Sequence, residues 1–337
     1  MRGTASVRRC LIVTAGLTFI GAMLAGMPAS RADTVEIRMG QIFNQNVPIV
    51  RCGAIPLSEN ERLKALGFDI TVIHSAQLGS ENELVQQVSS GQLEMTNGVA
   101  SILAAWVEDL SVFETYYLYG DVDDVFRAYE TEVARELWQE LLEVANIRAI
   151  GFPWLYGERH VFGNRALRGP ADFKGLRMRV PETSVSIEGA RSLGASPTPT
   201  AYAELYLALQ QGIVDAAEAP ASVAHAESFH EPADYFNLTG HLITASPVII
   251  NEGLWQSLSA EQQDALETEV VEAAHQVRAC VEEQDRAAFA AWQDSGEIEI
   301  VDDVDREALM TNARAYFSEG FPWSESYSAL VKELDAR

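Results

Sequence analysis

Residues 164–220 read NRALRGPADFKGLRMRVPETSVSIEGARSLGASPTPTAYAELYLALQQGIVDAAEAP, and this stretch decides the fold class. The run at 176–180 ends at a proline and predicts a strand. Apolar residues at helical spacing follow at 183–193 and 201–211, and 213–216 predicts a second short strand. Strands that alternate with helices are typical of βα units, hence of a mostly parallel α/β architecture.

The same alternation extends in both directions along the chain. Residues 68–74 (FDITVIH) follow a glycine and are rich in β-branched residues, which predicts a strand. Ser80 and Glu83 have the spacing of a capping box, which predicts a helix over 80–88. Apolar residues four apart predict one long helix over 123–145. Further strands are predicted at 35–40, 147–152 and 247–251, and a further helix at 57–66.

A longer helix is predicted after Ser259, which forms a second capping box with Gln262. No Gly or Pro interrupts the pattern before Gly296. A helix of this length reaches about 50 Å, more than one small lobe covers, so we expect it to pack on two lobes. The alternative is two helices with a break near Cys280.

The N-terminus has the pattern of a secretory signal peptide over residues 1–32. A basic start precedes an apolar run over 10–27, and Ser30-Arg31-Ala32 offers small residues for cleavage before Asp33. The alternative is a retained membrane anchor, because the run is near the lower length for a spanning helix. The interpretation is export to the periplasm with a cleaved signal.

The charge balance is strongly acidic. Loss of residues 1–32 lowers the basic count from 24 to 20 against 49 acidic residues, so the net charge moves from −25 to −29. Such a surface repels nucleic acid and anionic membranes, and we expect no nucleic-acid partner. The remaining ~305 residues exceed one comfortable core, which predicts two lobes.

Two cysteines remain after the signal, Cys52 and Cys280. In an oxidising compartment they could pair, but their separation in sequence does not bring them together. The alternative is two separately buried thiols.

Signatures of catalysis and cofactor binding are missing from the sequence. It contains no HExxH, GxSxG, P-loop, CxxC, or GxGxxG after a strand. His225 and His230 are five apart, which does not place them on one helical face. We expect no metal, no cofactor and no catalytic residue.

The strand LRMRV at 176–180 alternates its side chains between two faces. Arg177 and Arg179 therefore share one face, and one of them could point into a cleft. A guanidinium offers a planar fork of donors that matches a carboxylate bidentately. The alternative is two surface arginines that balance the acidic shell.

Several motifs resemble the solute-binding receptors of TRAP transporters, the dicarboxylate-binding (DctP-type) family. They are QLGSENELVQQVSSG at 77–91, DFKGLRMRVP, LGASPTPTAYAELYLALQQGIVDAAE and the region of His241. The resemblance covers nearly all of 35–337 with collinear spacing. It implies a two-lobed α/β periplasmic solute-binding (Venus-flytrap) fold with a long helix that spans both lobes. The lobe boundaries are predicted as 33–156 plus 245–284 for lobe I and 157–244 plus 285–337 for lobe II.

The resemblance also implies the site residues. Arg179 takes the position of the arginine that clamps the ligand carboxylate, and Arg159 that of a second arginine in the cleft. Tyr202 matches an aromatic that packs on the ligand. Glu81 and Asn97 fall where the first lobe faces the cleft.

One position departs from the family pattern, because Glu218-Ala219-Pro220 replaces the usual Glu-Asn-Pro. Ala219 has no polar side chain, so a usual contact is absent and a local group would substitute. Candidates are Glu158, His160 and Tyr156. Trp154 and Tyr156 bring aromatic surface beside Arg159, either as a platform for the ligand or as core of the lobe.

The function implied is a monomeric receptor that binds a small organic acid and delivers it to a TRAP membrane permease, without catalysis. An alternative is the ligand-binding subunit of a sensory system that uses the same cleft. An extracytoplasmic enzyme on small acids is a third class, but no nucleophile–base signature supports it. C4-dicarboxylates, sugar acids and 2-oxo acids all fit one clamped carboxylate.

Overall fold

A mixed β-sheet forms the framework of the computed structural model, which describes residues 34–336 apart from the side chain of Phe152. The predicted signal peptide lies outside the described residues. Within residues 34–336 the sheet has nine strands: β1 Val35–Gly40, β2 Phe68–Ile73, β3 Met95–Asn97, β4 Ile147–Gly163, β5 Arg177–Val180, β6 Ser196–Pro199, β7 Ala216–Ala219, β8 Tyr235–Asn251 and β9 Glu299–Val301.

Helices cover this sheet. In the described part of the chain they are α1 Ile55–Glu59, α2 Glu61–Ala65, α3 Glu81–Ser90, α4 Ala100–Leu103, α5 Val122–Tyr129, α6 Glu132–Ala145, α7 Ser184–Leu193, α8 Leu205–Gln210, α9 Ala221–Ala226, α10 Glu252–Ser257, α11 Ala260–Ser295, α12 Arg306–Phe317 and α13 Ser324–Asp335. Short 3₁₀ segments lie at Glu108–Glu114, Pro170–Phe173 and Tyr202–Glu204, and a π-helical turn lies at Ile49–Ala54. None of these helices is long and apolar enough to cross a membrane.

The strand order is β2-β1-β3-β8-β4-β7-β5-β6, with β9 paired to β8. The predicted parallel pairing is present at both ends of the sheet, in β1 with β2 and β3 and in β5 with β6 and β7. The two 17-residue strands β4 and β8 run antiparallel through the middle. The expectation of a mostly parallel sheet therefore misses the central pair.

The predicted strands at 147–152 and 247–251 are much too short. Gly151 and Gly157 resemble breaks in the sequence, but their positive φ values accommodate irregular pairing instead. The β4–β8 register shifts between Ile150 and Trp154 and again between Leu155 and Gly157. Because of such irregularities, the alternation of apolar and polar residues does not continue along the whole strand, and the sequence pattern predicts a shorter one. The strand expected at 213–216 is also wrong, since β7 begins at the last of those residues.

Two predicted helices are interrupted by capping residues. The helix expected over 123–145 is divided between α5 and α6, because the Thr131 side chain caps α6 by accepting from the Ala134 amide. The helix expected over 57–66 is broken at Asn60, which caps α2 through Leu63. The helix expected over 201–211 begins as a 3₁₀ turn and becomes α-helical only at α8.

The long helix is continuous, as the capping box at Ser259 predicts, and no break occurs near Cys280. Its predicted apolar stripe is buried; the residues are Leu266, Val270, Ala274, Val277, Val281, Ala288 and Trp292. A disulfide joins Cys280 on this helix to Cys52 in the π-helical turn. The Trp154 indole donates to the Val270 carbonyl at 3.0 Å, which ties β4 to the same helix.

Candidate ligand-binding site

A cavity of about 230 Å³ lies where β4, β5 and β7 meet α3 and the 3₁₀ segments. Pockets for drug-sized ligands measure roughly 300–1,000 Å³, so this cavity suits a smaller molecule. Seven of the nine predicted site residues line it: Glu81, Tyr156, Arg159, Arg179, Tyr202, Glu218 and Ala219. Trp154 and Asn97 do not.

Arg179 is held in place by backbone. It lies at the end of β5, is 3% exposed, and donates from Nε (2.9 Å) and Nη2 (2.7 Å) to the Thr200 carbonyl oxygen. Among residues 34–336, no Asp or Glu side chain lies within ion-pair distance of it. Burial lowers the pKa of the guanidinium from its usual value, although Glu218 opposes this effect. The cation is therefore fixed at the cavity wall without a bound counterion.

Arg159 differs from Arg179, because Glu218 neutralises it. Its Nη2 donates to Glu218 Oε1 at 2.7 Å and to the Glu218 carbonyl at 3.2 Å, and its Nε donates to Oε2. Burial disfavours the Glu218 carboxylate, but Arg159, with help from His241, outweighs burial and lowers the pKa of Glu218 to about 2. The two predicted arginines share a cavity but are electrostatically unequal.

Arg177, which lies on the same strand as Arg179, differs from it in exposure. Arg177 is exposed and pairs with Asp215 through Nη2 and Oδ1 at 2.5 Å. Two residues further on, Arg179 is buried at the cavity. The surface-charge interpretation thus applies to the first arginine of the strand and not to the second.

Aromatic rings form one wall. Tyr156 contacts Phe43 at a ring-centroid distance of 4.8 Å, Phe43 contacts Tyr202 at 5.0 Å, and Tyr202 contacts Phe229 at 5.4 Å. The Arg159 guanidinium carbon lies 5.9 Å from the Tyr156 ring centroid. Such a wall offers apolar surface to the carbon skeleton of a ligand.

Trp154 and Asn97 lie outside the cavity lining. Trp154 is fully buried in the core against the long helix, so it occupies the core position that its sequence context left open. Asn97 lies behind Glu81, where it accepts from Gln41 Nε2 at 2.8 Å and donates to the Ser246 carbonyl at 3.3 Å. Both stabilise the walls of the site.

The groups proposed to substitute for the missing side chain at Ala219 are also separated by the structure. Tyr156 lines the cavity. Glu158 instead pairs with Arg306 at 2.6 Å, and His160 Nδ1 accepts from the Gly240 amide at 2.9 Å. Those two face away from the cavity lining, so they do not replace an amide there.

Sequence reasoning missed several lining residues, above all Glu114. It ends a 3₁₀ segment, is 6% exposed, and its Oε1 has no hydrogen-bond partner among the described residues. Burial raises its pKa to about 7, against the opposing effects of a Ser101 hydrogen bond and of Arg159. Burial likewise raises the pKa of Glu81 to about 7, although that carboxyl accepts from the Val99 amide at 3.5 Å.

A metal has no evident place here. The described residues include no group of three or more His, Cys, Asp or Glu side chains able to hold a metal ion. Among the described residues the cavity is thus built from a free cation, an arginine–glutamate pair, the carboxyls of Glu81, Glu114 and the exposed Glu182, and aromatic rings, which suits recognition of a small anion.

Comparison with known proteins places this geometry in a family. The model of the bacterial extracellular solute-binding protein family 7 (DctP) matches residues 61–322. The chain belongs to this family. Family 7 consists of solute-binding proteins, not enzymes, and the resemblance to TRAP receptors is confirmed.

Family 7 relatives include the sialic acid-binding periplasmic protein SiaP of Vibrio cholerae, 34% identical over 58% of this chain and 61% of that protein. The C4-dicarboxylate-binding periplasmic protein DctP of Rhodobacter capsulatus is 27% identical over 87% of each chain.

Solved structures of TRAP periplasmic solute-binding proteins confirm the two-lobed α/β fold. A TRAP periplasmic solute-binding protein of Roseobacter denitrificans with bound 3-deoxy-D-manno-oct-2-ulosonic acid has a TM-score of 0.84 at 23% identity, over 90% of this chain and 99% of that one. A second, from Ochrobacterium anthropi with bound L-fuconate, has a TM-score of 0.83 at 26% identity, over 89% and 99%.

Proposed function

We propose that this chain is a periplasmic receptor that holds a small organic acid by a clamp between Arg179 and the ligand carboxylate. The observation that carries the proposal is the inequality of the two arginines: Arg159 is neutralised by Glu218, whereas Arg179 has no acidic partner among residues 34–336. A buried cation without a counterion is unfavourable, and a ligand carboxylate would supply the missing charge. The fixed fork would then accept it with little loss of freedom.

The names of the relatives support an organic acid as ligand. Sialic acid, C4-dicarboxylates and 2,3-diketo-L-gulonate occur in the names of three related periplasmic proteins. L-galactonate and L-fuconate are bound in two solved structures. These compounds share a carboxylate and differ elsewhere, which fits a receptor that recognises the carboxylate through an arginine.

Closure of two lobes would bury the ligand. The predicted boundary between residues 156 and 157 coincides with a register shift in β4, between the pairs Leu155–Ala245 and Gly157–Thr244. Another predicted boundary lies between residues 284 and 285 on α11. There the Asp285 carboxylate accepts a hydrogen bond from the Ser222 amide at 2.7 Å. Irregular pairing is a natural place for bending, and the closed form would be presented to a TRAP permease.

A thermal-shift screen over organic acids tests the receptor function. Ligand at about 100 times Kd stabilises the folded state by ~2.7 kcal/mol, so a cognate acid would raise the melting temperature clearly. We expect at least one acid to do so in the wild type and none in Arg179→Ala. Stabilisation that persists in Arg179→Ala would contradict the clamp. Delivery is tested by uptake of the same acid into vesicles that contain the candidate permease, with and without the receptor.

A further inference from the structure

A second set of polar groups lines the cavity besides the arginine clamp. Glu114 is buried with Oε1 unpartnered among the described residues, and Thr244, 2% exposed, has an equally unpartnered Oγ1. Glu81 and Ser101 complete this part of the lining. Buried polar atoms without a partner are rare in folded proteins, and each costs about 1–3 kcal/mol unless a ligand or water satisfies it.

The charges in the cavity limit what can enter it. Glu114 is surrounded by three charged groups: Arg159, Glu81 and Glu218. Because Glu218 already neutralises Arg159, Arg179 is the one cation among the described lining residues left to balance Glu81, Glu114, the exposed Glu182 and the ligand. One ligand carboxylate can be placed against Arg179. A second ligand carboxylate has no free cation to meet among the described lining residues, and it would face the ionised carboxylates of Glu81 and Glu114 in a dry space, at a cost of several kcal/mol.

We propose that Glu81 and Glu114, with Thr244, form an acidic subsite that selects monocarboxylic acids whose far end carries hydrogen-bond donors and rejects dicarboxylic acids. This inference rests on the proposed function, since it assumes that Arg179 takes the first carboxylate. The donor is a hydroxyl or an ammonium group. Either satisfies the unpartnered Glu114 oxygen, and a hydroxyl can also accept from Thr244. A carboxylate offers no donor to Glu114.

Matched ligands that differ only in the terminal group test the subsite. At four, five and six carbons, the probes are an aldonate, its aldarate with a second carboxylate, and the aldonate with a terminal amine in place of the last hydroxyl. Calorimetry gives the affinity of each for the wild type. We expect the best-bound aldonate or amino-aldonate to bind at least ~10-fold more tightly than the matching aldarate, which corresponds to ~1.4 kcal/mol.

Variants assign the discrimination to the subsite. Glu114→Gln and Glu81→Gln remove the charge with little change of shape, and each should narrow the gap by at least ~3-fold, mainly through tighter aldarate binding. Glu204→Gln is the control, because Glu204 is exposed beside Tyr202 and does not line the cavity. The ratio of aldonate to aldarate affinity of Glu204→Gln should equal that of the wild type. Circular dichroism verifies that each variant is folded.

The outcomes separate this inference from the proposed function. Aldarates that bind as tightly as aldonates, or a gap unchanged in both glutamine variants, overturn the subsite. Failure of all three ligand classes to bind also overturns it. If aldonates bind the wild type but not Arg179→Ala, the clamp is supported whether or not the protein distinguishes aldonates from aldarates. The terminal group of the tighter-binding class then identifies the donor as hydroxyl or ammonium.

Discussion

Glu218 neutralises Arg159 through both oxygens of its carboxylate, with Nη2 and Oε1 2.7 Å apart, and this pair leaves Arg179 as the cavity's free cation among residues 34–336. Two arginines that look equivalent in sequence thus have different tasks. In the proposed function Arg179 meets the ligand, while Arg159 fixes the shape and charge of the wall beside it.

Arg179→Lys should weaken binding of the cognate acid by about 100-fold or more, because an ammonium cannot reproduce the planar fork. Calorimetry measures the change. Arg177→Lys is the matched control, since Arg177 lies on the same strand but is exposed and paired with Asp215. Its affinity should stay within about twofold of the wild type. Near-native affinity for Arg179→Lys would rule out bidentate recognition.

Glu218→Leu should destabilise the protein by about 3–5 kcal/mol, because it leaves Arg159 buried and unpaired. The double variant Arg159→Met/Glu218→Leu should recover most of this loss, since it removes both charges together. Urea unfolding followed by circular dichroism measures both. A double variant that is no more stable than Glu218→Leu would show that the pair is not the source of the effect.

Glu114 should lower the stability of the ligand-free protein as pH rises from about 4.5 to 7, whereas His160, whose pKa burial lowers to about 3, should raise it below pH 6.5. Burial raises the pKa of Glu114 from 4.5 to about 7, so in this window the folded state retains a proton that the unfolded state has released. The loss attributable to Glu114 is on the order of 3 kcal/mol and is complete above the folded pKa. Unfolding free energies at pH 5, 6, 7 and 8 measure it.

Glu114→Gln should remove this contribution, so its unfolding free energy should fall less, or rise more, between pH 5 and 8 than that of the wild type, whereas Glu204→Gln should match the wild type. Glu81, whose pKa is also raised to about 7, contributes a loss of the same sign that remains in Glu114→Gln. Identical slopes in wild type and Glu114→Gln would argue that this carboxyl ionises normally.

Loss of the disulfide should cost about 2–5 kcal/mol of stability without altering ligand affinity. Cys52 and Cys280 are 228 residues apart, so the bridge closes a long loop in the unfolded chain. The variant Cys52→Ser/Cys280→Ser, compared with oxidised wild type by thermal unfolding and calorimetry, measures both quantities. A large change in affinity would indicate that the bridge also positions the cavity.

Sequence reasoning succeeded where a pattern is local. Ser259 marked the start of α11, and the run at 176–180 predicted β5, while the choice of Arg179 over Arg177 came from the family resemblance and not from alternation. It failed where the pattern is interrupted, as at Gly151 and Gly157 in β4, because bulges and positive φ values resemble loops until their partners are known. Pairing between β4 and β8 joins residues about a hundred positions apart, which no local signal specifies.

Glu114 was missed for a different reason. With 49 acidic residues in the chain, an isolated glutamate carries no information by its type. The available signal was its setting, a lone charge within the apolar run LSVFETYYLYG at 110–120. A charged residue in an apolar run is either destabilising where it is buried or has a functional role. The cavity beside Glu114 favours the functional role, and the sequence does not show that cavity.

The Thr200 carbonyl, which accepts two hydrogen bonds from Arg179, fixes the guanidinium before any ligand binds. The guanidinium loses its rotamer freedom and its water when the chain folds, not when a ligand arrives. This cost therefore lowers the free energy of unfolding of the ligand-free protein, and it does not reduce the affinity for an acid that binds at Arg179. Selection for tighter capture and selection for robust folding act in opposite directions at position 179.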